Sequence, residues 1–384
     1  MKIAILGLRG LPSTYSGYEA FLSELAPRLA LRGHDVTIYC RSALFPEKPA
    51  EWHGVKLRYV GSLEHKVAST LSHSMFSIMD AARRDFDLVF VVNAANGMFG
   101  FIPRLARVPS VLNVDGMEWL RPKWNSLARF IFKNSARLGC LFYDAVVTDA
   151  EEMHRLYARD FGIDTTYIAY GANIEPSTQP EVVRQYGLEP GNYYLIASRL
   201  VPDNNADLIV KAFVASGSPK LLAIAGGADY RGNTVEQRFL DDLKGAANDR
   251  VKFLGHVGSS EHVRELHCNC FAYVHGHQFG GINPSLLKAL GYGNCILALD
   301  TPFNSEVLEA GRYGLLWRKD SAHLAQLMAE LERDPQSAEQ FRKRAPQRIR
   351  DRFTWDKITT QYEDLFNTLV NKRHGNRGSN STAG

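Results

Sequence analysis

Residues 275–306 have the types and spacing of an anion-binding turn. An apolar stretch that predicts a strand leads into Gly280 and Gly281, and Pro284 suits the first turn of a helix, where its missing N–H is not needed. Glycine lets the backbone approach a ligand, and the N–H groups near Ser285 lie at the positive end of the predicted helix. The pattern predicts a phosphate site, with an ordinary β-α-β turn as the alternative.

A second set of reactive side chains follows another predicted strand, residues 110–114. Asn113, Asp115 and Glu118 stand at its end, and Asn96 stands after the preceding strand. Open α/β sheets bind ligands at the carboxyl ends of their strands, and a carboxylate there can take a proton from a hydroxyl group. These residues predict acceptor or catalytic chemistry. The alternative is that the acids only keep a loop soluble.

The first predicted strand runs into a glycine-rich loop that contains Gly10 and Gly17. The loop is longer than the dinucleotide fingerprint G-x-G-x-x-G, which is absent. The acid expected after the second strand is also missing, because Cys40 and Arg41 stand there. A dehydrogenase or epimerase that uses a nicotinamide cofactor is therefore disfavoured.

Length and composition are typical of a globular protein with more than one domain. The chain has 384 residues, of which 45% are hydrophobic and 22% charged, and its formal net charge of +4 is too small to indicate a nucleic-acid partner. The five cysteines are scattered and odd in number, which predicts reduced thiols, a cytoplasmic location and no zinc site. We expect no signal peptide and no membrane-spanning helix.

Alternating strand and helix patterns run along the chain and stop once, at a polar stretch with two prolines, residues 174–180. Such a stretch is typical of a linker. We therefore expect two Rossmann-like, doubly wound α/β domains, residues 1–173 and 174–353, that bind ligands in a cleft between them. The sequence further predicts a helix at 354–370 that packs back on the N-terminal domain, and a disordered tail at 371–384.

Residues 119–141 combine cations with aromatic side chains. One interpretation is a cationic helix that lies on an anionic membrane surface. The other is a helix that packs its aromatic side chains on the sheet while its charges are solvated. The cations are Arg121, Lys123, Arg129, Lys133 and Arg137, and the apolar side chains are Trp119, Trp124, Phe130, Ile131 and Phe132.

Several segments together resemble a known family. They read KIAILGLRGLP, YSGYEAFLSELAPRL, NVDGMEW, RLVPDNNADLIVKAF, GGINPSLLKALGYGN and LALDTPFNSEVL. They resemble the GT-B glycosyltransferases of family 4, and most closely the bacterial rhamnosyltransferases of cell-surface polysaccharide synthesis. The resemblance spans nearly the whole chain. It implies transfer of a sugar from a nucleotide sugar, with dTDP-L-rhamnose as the expected donor, to a glycan or a polyprenyl-diphosphate-linked acceptor.

The resemblance also implies retention of anomeric configuration, no metal and no other cofactor, and an acceptor at the inner face of the membrane, which residues 119–141 would contact under the first interpretation above. A cation and helix N-termini then have to neutralise the leaving diphosphate. The implied catalytic residues are Asp115, Glu118 and Arg199; the implied donor contacts are Gly10, Gly17, Arg199, Asn204, Gly280, Gly281, Asn283, Ser285 and Lys288; and the implied acceptor contacts are Tyr18, Asn96, Asn113 and Arg121.

The sequence departs from the family pattern at three positions. The family has two glutamates eight positions apart, and Gly280 and Lys288 stand in their places. The position of the family's catalytic histidine falls near Asp115. A UDP- or GDP-sugar donor, and a subunit that binds nucleotide sugar without turnover, therefore remain alternatives.

Overall fold

A computed structural model describes residues 1–12, 17–64, 68–120, 125–227 and 234–380. The chain divides into two compact units. Unit 1 comprises Met1–Tyr170 and Trp355–Gly384, and unit 2 comprises Gly171–Thr354.

Within the described residues, unit 1 is built on an eight-stranded sheet in the order β3-β4-β2-β1-β5-β6-β7-β8. All of its strand pairs are parallel except β3 with β4. The central strand β5 reads LVFVV and is wholly buried, as expected for a parallel strand covered on both faces. The strands are β1 (Lys2–Leu6), β2 (Asp35–Arg41), β3 (Glu51–Trp52), β4 (Val55–Val60), β5 (Leu88–Val92), β6 (Ser110–Val114), β7 (Ala145–Thr148) and β8 (Thr166–Tyr167).

Five helices connect these strands in the described part of unit 1. The first buries one stripe of apolar side chains, Phe21, Leu22, Leu25 and Leu29, at the spacing of a helix face. The helices are α1 (Gly17–Leu31), α2 (Ala68–Ala82), α3 (Phe101–Leu105), α4 (Ser126–Phe142) and α5 (Glu151–Phe161).

Unit 2 is built on a parallel sheet in the order β11-β10-β9-β12-β13-β14. Its strand order reverses between β9 and β12, and this switch point is where doubly wound sheets bind ligands. The strands are β9 (Tyr193–Ala197), β10 (Leu221–Ala225), β11 (Val251–Gly255), β12 (Ala272–His275), β13 (Ile296–Leu299) and β14 (Leu315–Trp317). The helices are α6 (Ala206–Ser216), α7 (Thr234–Ala246), α8 (Ser260–Cys268), α9 (Pro284–Gly291), α10 (Pro302–Val307), α11 (Ser321–Arg333) and α12 (Pro335–Arg348).

The last helix, α13 (Trp355–Asn380), belongs to unit 1. Tyr362 and Phe366 are buried and lie 5.3 and 5.4 Å, between ring centroids, from Phe90 of β5. The sequence predicted the end of this helix at residue 370 and a disordered tail from 371, whereas the structure continues it to Asn380. A helix whose first turns are already packed propagates at little cost, because each added residue gains a hydrogen bond.

The polar stretch predicted as a linker lies within unit 2 and is held by the buried carboxylate of Glu265. This carboxylate accepts hydrogen bonds from the backbone N–H groups of Thr178 at 2.8 Å and Gln179 at 3.1 Å, and from the Ser177 hydroxyl. Burial by itself raises the pKa of Glu265, but these hydrogen bonds and the Arg264 guanidinium outweigh it and lower the pKa to about 2.

We expect Glu265→Gln to lower the stability of the protein by about 1–3 kcal/mol at pH 7, because the change removes a charged acceptor from buried donors. The folded-state pKa of about 2 lies below the ordinary value of 4.5, so the carboxylate stabilises the fold above that value and ceases to do so as the pH falls towards 2. Thermal unfolding measured from pH 7 to pH 3 should show the melting temperatures of the wild type and of Glu265→Gln approaching each other. Glu189→Gln, at an exposed ion pair with Arg184, is the control and should change little.

Candidate functional site

The loop that follows β9 is tied to the loop that follows β12, and Asn204 makes the tie. Its Nδ2 donates to the carbonyl oxygen of Arg199 at 2.8 Å, and its Oδ1 accepts from His277 Nδ1 at 2.9 Å. Asn204 is buried, so an unpaired amide there would cost about 1–3 kcal/mol. The two loops are therefore held together at the carboxyl edge of the sheet, beside the switch point.

Two more asparagines complete this edge. Asn304, in α10 after β13, donates from Nδ2 to the carbonyl oxygen of His277 at 3.0 Å. Asn205 donates from Nδ2 to the carbonyl oxygen of Gly276 at 2.8 Å. A Cβ at Gly276 would lie 2.1 Å from the carbonyl oxygen of Asn204, so only glycine allows this approach. The loops after β9, β12 and β13 thus form one hydrogen-bonded edge.

The helix α9 begins at Pro284, as the sequence predicts. Its first N–H groups are not open to a ligand in this structure, contrary to the phosphate role expected near Ser285. The Ser285 N–H donates to the side-chain oxygen of Asn283 at 2.9 Å, because Asn283 is the N-cap of the helix. What remains at this end is the positive helix dipole and the turn at Gly280, which has φ +115°.

The other cationic and glycine positions of this loop differ in exposure. Gly281 is buried, whereas Lys288 is exposed on α9. Arg199 is exposed directly after β9. The two cations therefore have charges that water and a ligand can reach.

A pocket of about 230 Å³ opens at the same carboxyl edge, beside β9, β10 and β11. Arg199 lies in its wall. A Cβ on Gly226, which has φ +146°, would lie 1.9 Å from the Ser198 carbonyl oxygen, so this wall requires glycine. The lining residues are Ser198, Arg199, Ala225, Gly226, Gly227, His256, Val257 and Val263.

In unit 1, Asp115 follows β6 and is half-buried. Its Oδ1 accepts a hydrogen bond from the Tyr18 hydroxyl at 2.7 Å. Burial, and next the charge of Asp115, raise the pKa of Tyr18 well above its ordinary value, so the phenol stays a donor. The structure therefore brings two of the expected residues together. Glu118 is also half-buried and begins a 3₁₀ turn, Glu118–Leu120.

Sequence reasoning missed a second carboxylate at this edge. Asp149 follows β7, the neighbour of β6, and is fully buried. Burial, and next the charges of Asp115 and Asp149, raise the pKa of Tyr170 well above its ordinary value. The sequence did contain a signal for this carboxylate, because Asp149 directly follows the apolar strand β7. His277, also missed, lies two residues after the end of β12. Carboxylates and phenols thus gather at the ends of β6 to β8.

Other expected residues lie elsewhere or have another role. Asn113 and Asn96 are buried, and their amides donate to the Tyr362 hydroxyl at 2.9 Å and to the Val92 carbonyl oxygen at 2.8 Å. Neither amide is placed to contact an acceptor sugar, contrary to the acceptor-binding role that the resemblance implied for both residues. Gly10 is also buried. It has φ +129° and packs against Cys40, so its role is in packing. Gly17 is the exposed first residue of α1, and Arg121 lies outside the described residues.

Helix α4 contains most of residues 119–141, for which the sequence left two interpretations open. Helix α4 buries small residues, Ser135, Ala136 and Gly139, rather than aromatic ones. A Cβ on Gly139 would lie 2.5 Å from the side chain of Leu112 in β6, so small size permits the approach. Four large apolar side chains of α4 are exposed instead: Leu127, Phe130, Ile131 and Leu141. Trp119 precedes the helix and is buried, with its ring 5.8 Å from that of Phe161.

Two further features concern the residues that the structure describes. Among these residues, no group of three or more His, Cys, Asp or Glu side chains is arranged to hold a metal ion. No helix in the same part of the chain has the length and apolar character needed to cross a membrane.

Comparison with protein families assigns both units. Residues 16–171 match the glycosyl transferase 4-like domain, and residues 179–348 match the glycosyl transferases group 1. Each matched region thus belongs to a glycosyltransferase domain family, and the two α/β units match solved GT-B glycosyltransferase structures. None of the curated proteins matches the sequence significantly.

Solved structures share the fold at low sequence identity. The structure of Alr3699/HepE from Anabaena in complex with UDP has a TM-score of 0.77 and 18% identity, covering 96% of this chain and 100% of that chain. Sucrose-phosphate synthase from Thermosynechococcus elongatus has a TM-score of 0.81 and 17% identity, covering 97% and 99%. A glycosyltransferase from Rickettsia africae has a TM-score of 0.72 and 12% identity, covering 96% and 98%. The expectation of two Rossmann-like α/β domains is confirmed.

We expect Tyr18→Phe to raise the pKa of Asp115, because the carboxylate loses a hydrogen bond that favours its charged form. The measurement is ¹³C NMR of the aspartate carboxyl carbons as a function of pH. Tyr59→Phe, which removes a hydroxyl bonded to the Pro49 carbonyl oxygen, is the control in the same unit. An Asp115 titration curve that does not move would show that Tyr18 does not tune this carboxylate.

Proposed function

We propose that this protein transfers a sugar from a nucleoside-diphosphate sugar to a glycan acceptor, with unit 2 as the donor-binding part and unit 1 as the acceptor-activating part. The observation that carries the proposal is the exposed Arg199 guanidinium in the wall of the 230 Å³ pocket at the carboxyl edge of β9. Its backbone is fixed by Asn204 at 2.8 Å. A fixed arginine at a switch point suits a diphosphate, whose oxygens match the guanidinium fork.

The chemistry assigns a task to each edge. When the bond between the sugar and the diphosphate breaks, negative charge develops on the leaving oxygens, and Arg199 with the positive end of α9 stabilises it. Lys288 adds a second exposed cation on α9. Asp115, oriented by Tyr18 at 2.7 Å, accepts the proton of the acceptor hydroxyl, and Glu118 is the alternative base.

For the donor we propose dTDP-L-rhamnose, on the resemblance of the segments quoted above to rhamnosyltransferases. The nucleoside enters the pocket beside Gly226 and Gly227. HepE is described in complexes with UDP and with UDP-glucose, which makes a uridine donor the competing proposal.

Arg199→Ala should weaken nucleoside-diphosphate binding by about tenfold to a hundredfold without lowering the melting temperature of the free protein, because the side chain is exposed. Thermal-shift titrations with dTDP, UDP, GDP and their sugars measure this, since a ligand that binds only the folded state raises the midpoint. Arg333→Ala, on the surface of α11, is the matched control.

The outcomes separate the proposals. The largest shift with dTDP-rhamnose supports the rhamnosyl donor, and a larger shift with UDP-glucose replaces it while keeping a transferase. An Arg199→Ala variant that binds all nucleotides like the wild type contradicts the diphosphate assignment. Nucleotide-sugar binding with no turnover on any acceptor would favour the non-catalytic subunit. That alternative is considered because Gly280 and Lys288 stand in place of the two family glutamates.

We include retention of configuration in the proposal on the same resemblance. The residues that replace the two family glutamates carry no carboxylate, so this part rests on the family pattern alone. The anomeric proton of the isolated product, measured by NMR, decides it directly.

We further propose that unit 1 lies on an anionic membrane surface through the exposed face of α4. The side chains of Leu127, Phe130 and Leu141 are 67%, 66% and 62% exposed, and Ile131 lies beside them. On the helical wheel these four form one stripe, away from the buried face. Arg129, Lys133 and Arg137 form an exposed cationic stripe along its side. Apolar insertion with adjacent cations is the pattern of an interfacial helix.

A neighbouring helix extends this surface. Phe101 and Leu105 of α3 are exposed, and the guanidinium of Arg104 donates to the Leu141 carbonyl oxygen at 3.2 Å, which places α3 beside the end of α4. Such a location on the inner face of the membrane would suit an acceptor carried on a polyprenyl diphosphate, because lipid and enzyme then share one surface.

Phe130→Ser combined with Ile131→Ser should reduce binding to anionic vesicles by about tenfold or more, because two large apolar side chains no longer enter the interface. Co-sedimentation with vesicles of equal parts phosphatidylcholine and phosphatidylglycerol measures this. Leu44→Ser, at another exposed leucine of unit 1, is the control. Wild-type protein that stays in the supernatant with these vesicles would contradict the membrane surface.

A further inference from the structure

A second pocket lies in unit 1, between α1 and the β3–β4 hairpin, and the proposed transfer reaction does not use it. Its volume is about 570 Å³, larger than that of the pocket beside Arg199. The lining residues are Pro12, Ser23, Glu24, Pro27, Leu31, Trp52 and His53. We call it the α1 groove.

One wall of the α1 groove is the outer face of α1. Ser23, Pro27 and Leu31 recur every four residues, opposite the stripe that packs on the sheet. Leu31 is 86% exposed, so its apolar side chain is open to solvent. By helix geometry the wall is about 12 Å long from Ser23 to Leu31.

Pro27 adds a polar feature to this apolar wall. Proline has no backbone N–H, so it cannot donate the helical hydrogen bond to the carbonyl oxygen of Ser23. That carbonyl oxygen can accept a hydrogen bond from a ligand in the groove. The Glu24 carboxylate, which is paired with Arg28, stands beside it as another acceptor.

The opposite wall is the tip of the hairpin. His53 and Gly54 form its two-residue turn, and their φ angles are +48° and +78°. Turns of this kind favour Asn-Gly, whereas histidine with positive φ is strained. The strained position presents an imidazole next to the indole of Trp52, with the two ring centroids 4.5 Å apart.

We propose that the α1 groove binds a neutral saccharide chain. An indole, a leucine and a proline offer surface for the C–H faces of sugar rings, and a carbonyl oxygen, a carboxylate and an imidazole offer partners for hydroxyl groups. Among the residues that line the groove there is no lysine or arginine, so a phosphorylated ligand finds no opposite charge there.

The groove and the Tyr18–Asp115 contact lie on opposite faces of α1. Tyr18 is buried with the stripe that packs on the sheet, whereas Ser23, Pro27 and Leu31 lie on the outer face. Saccharide binding in the groove is therefore separate from the proposed role of Asp115 and does not rest on the proposed function.

The test is saturation-transfer difference NMR on the full chain with four tetrasaccharides: α-linked rhamnose, maltotetraose, cellotetraose and chitotetraose. We expect at least one to give signals that persist with saturating UDP, because no described residue lines both the groove and the pocket beside Arg199. Trp52→Ala should weaken this binding about tenfold or more. His53→Asn should weaken it about threefold while keeping or raising the melting temperature, since Asn-Gly suits this turn.

Leu44→Ala, an exposed apolar position outside the groove, is the control and should bind like the wild type. The proposal is overturned if no tetrasaccharide binds, if UDP displaces the bound one, or if both groove variants bind normally. It is also overturned if the wild type is a dimer that Trp52→Ala dissociates, since a second copy then covers the groove. Saccharide binding that depends on Trp52, in a protein that binds no nucleotide, would keep the groove and reject the transferase.

Discussion

The buried amide of Asn204 is the interaction on which the edge of unit 2 depends. It bonds the loop after β9 at Arg199 and the loop after β12 at His277, at 2.8 and 2.9 Å. A buried amide without partners would cost about 1–3 kcal/mol, a large fraction of the stability of a domain, so the two loops hold each other in place. In the proposed function Arg199 binds a diphosphate, and this role needs such a fixed backbone because the charge must lie at a defined position to stabilise the leaving group.

Unit 1 meets a different constraint, the placing of carboxylates at the end of an otherwise apolar sheet. Asp115 and Asp149 follow neighbouring strands, and a buried carboxylate is costly unless polar groups surround it. Tyr18 supplies such a group at 2.7 Å. Helix α13 closes the sheet from the other end of the chain, where Tyr362 accepts from the Asn113 amide at 2.9 Å. Residues separated by 249 positions thus share one polar contact.

Small residues explain how unit 1 keeps apolar surface available. Helix α4 approaches β6 through Ser135, Ala136 and Gly139, so the attachment of the helix to the sheet does not consume its large side chains. Those side chains face solvent beside a cationic stripe. Helix α1 has a similar arrangement, because its packed stripe lies on one face and the α1 groove on the other. Each helix thus has one face packed in the fold and one face exposed.

The sequence by itself determined the two α/β units and the helix that begins at Pro284, because strand periodicity and proline are local properties. Residue type also made Arg199 and Asp115 candidates for the site. Only the tertiary structure decided which polar groups are already paired. Asn283 caps α9, Asn113 and Asn96 are buried, and Glu265 holds the predicted linker. Sequence periodicity alone left the exposed face of α4 open, because its buried face is set by where Gly139 meets Leu112, a contact between residues distant in sequence. Burial and hydrogen bonding depend on such distant neighbours, and a chain position does not encode them alone.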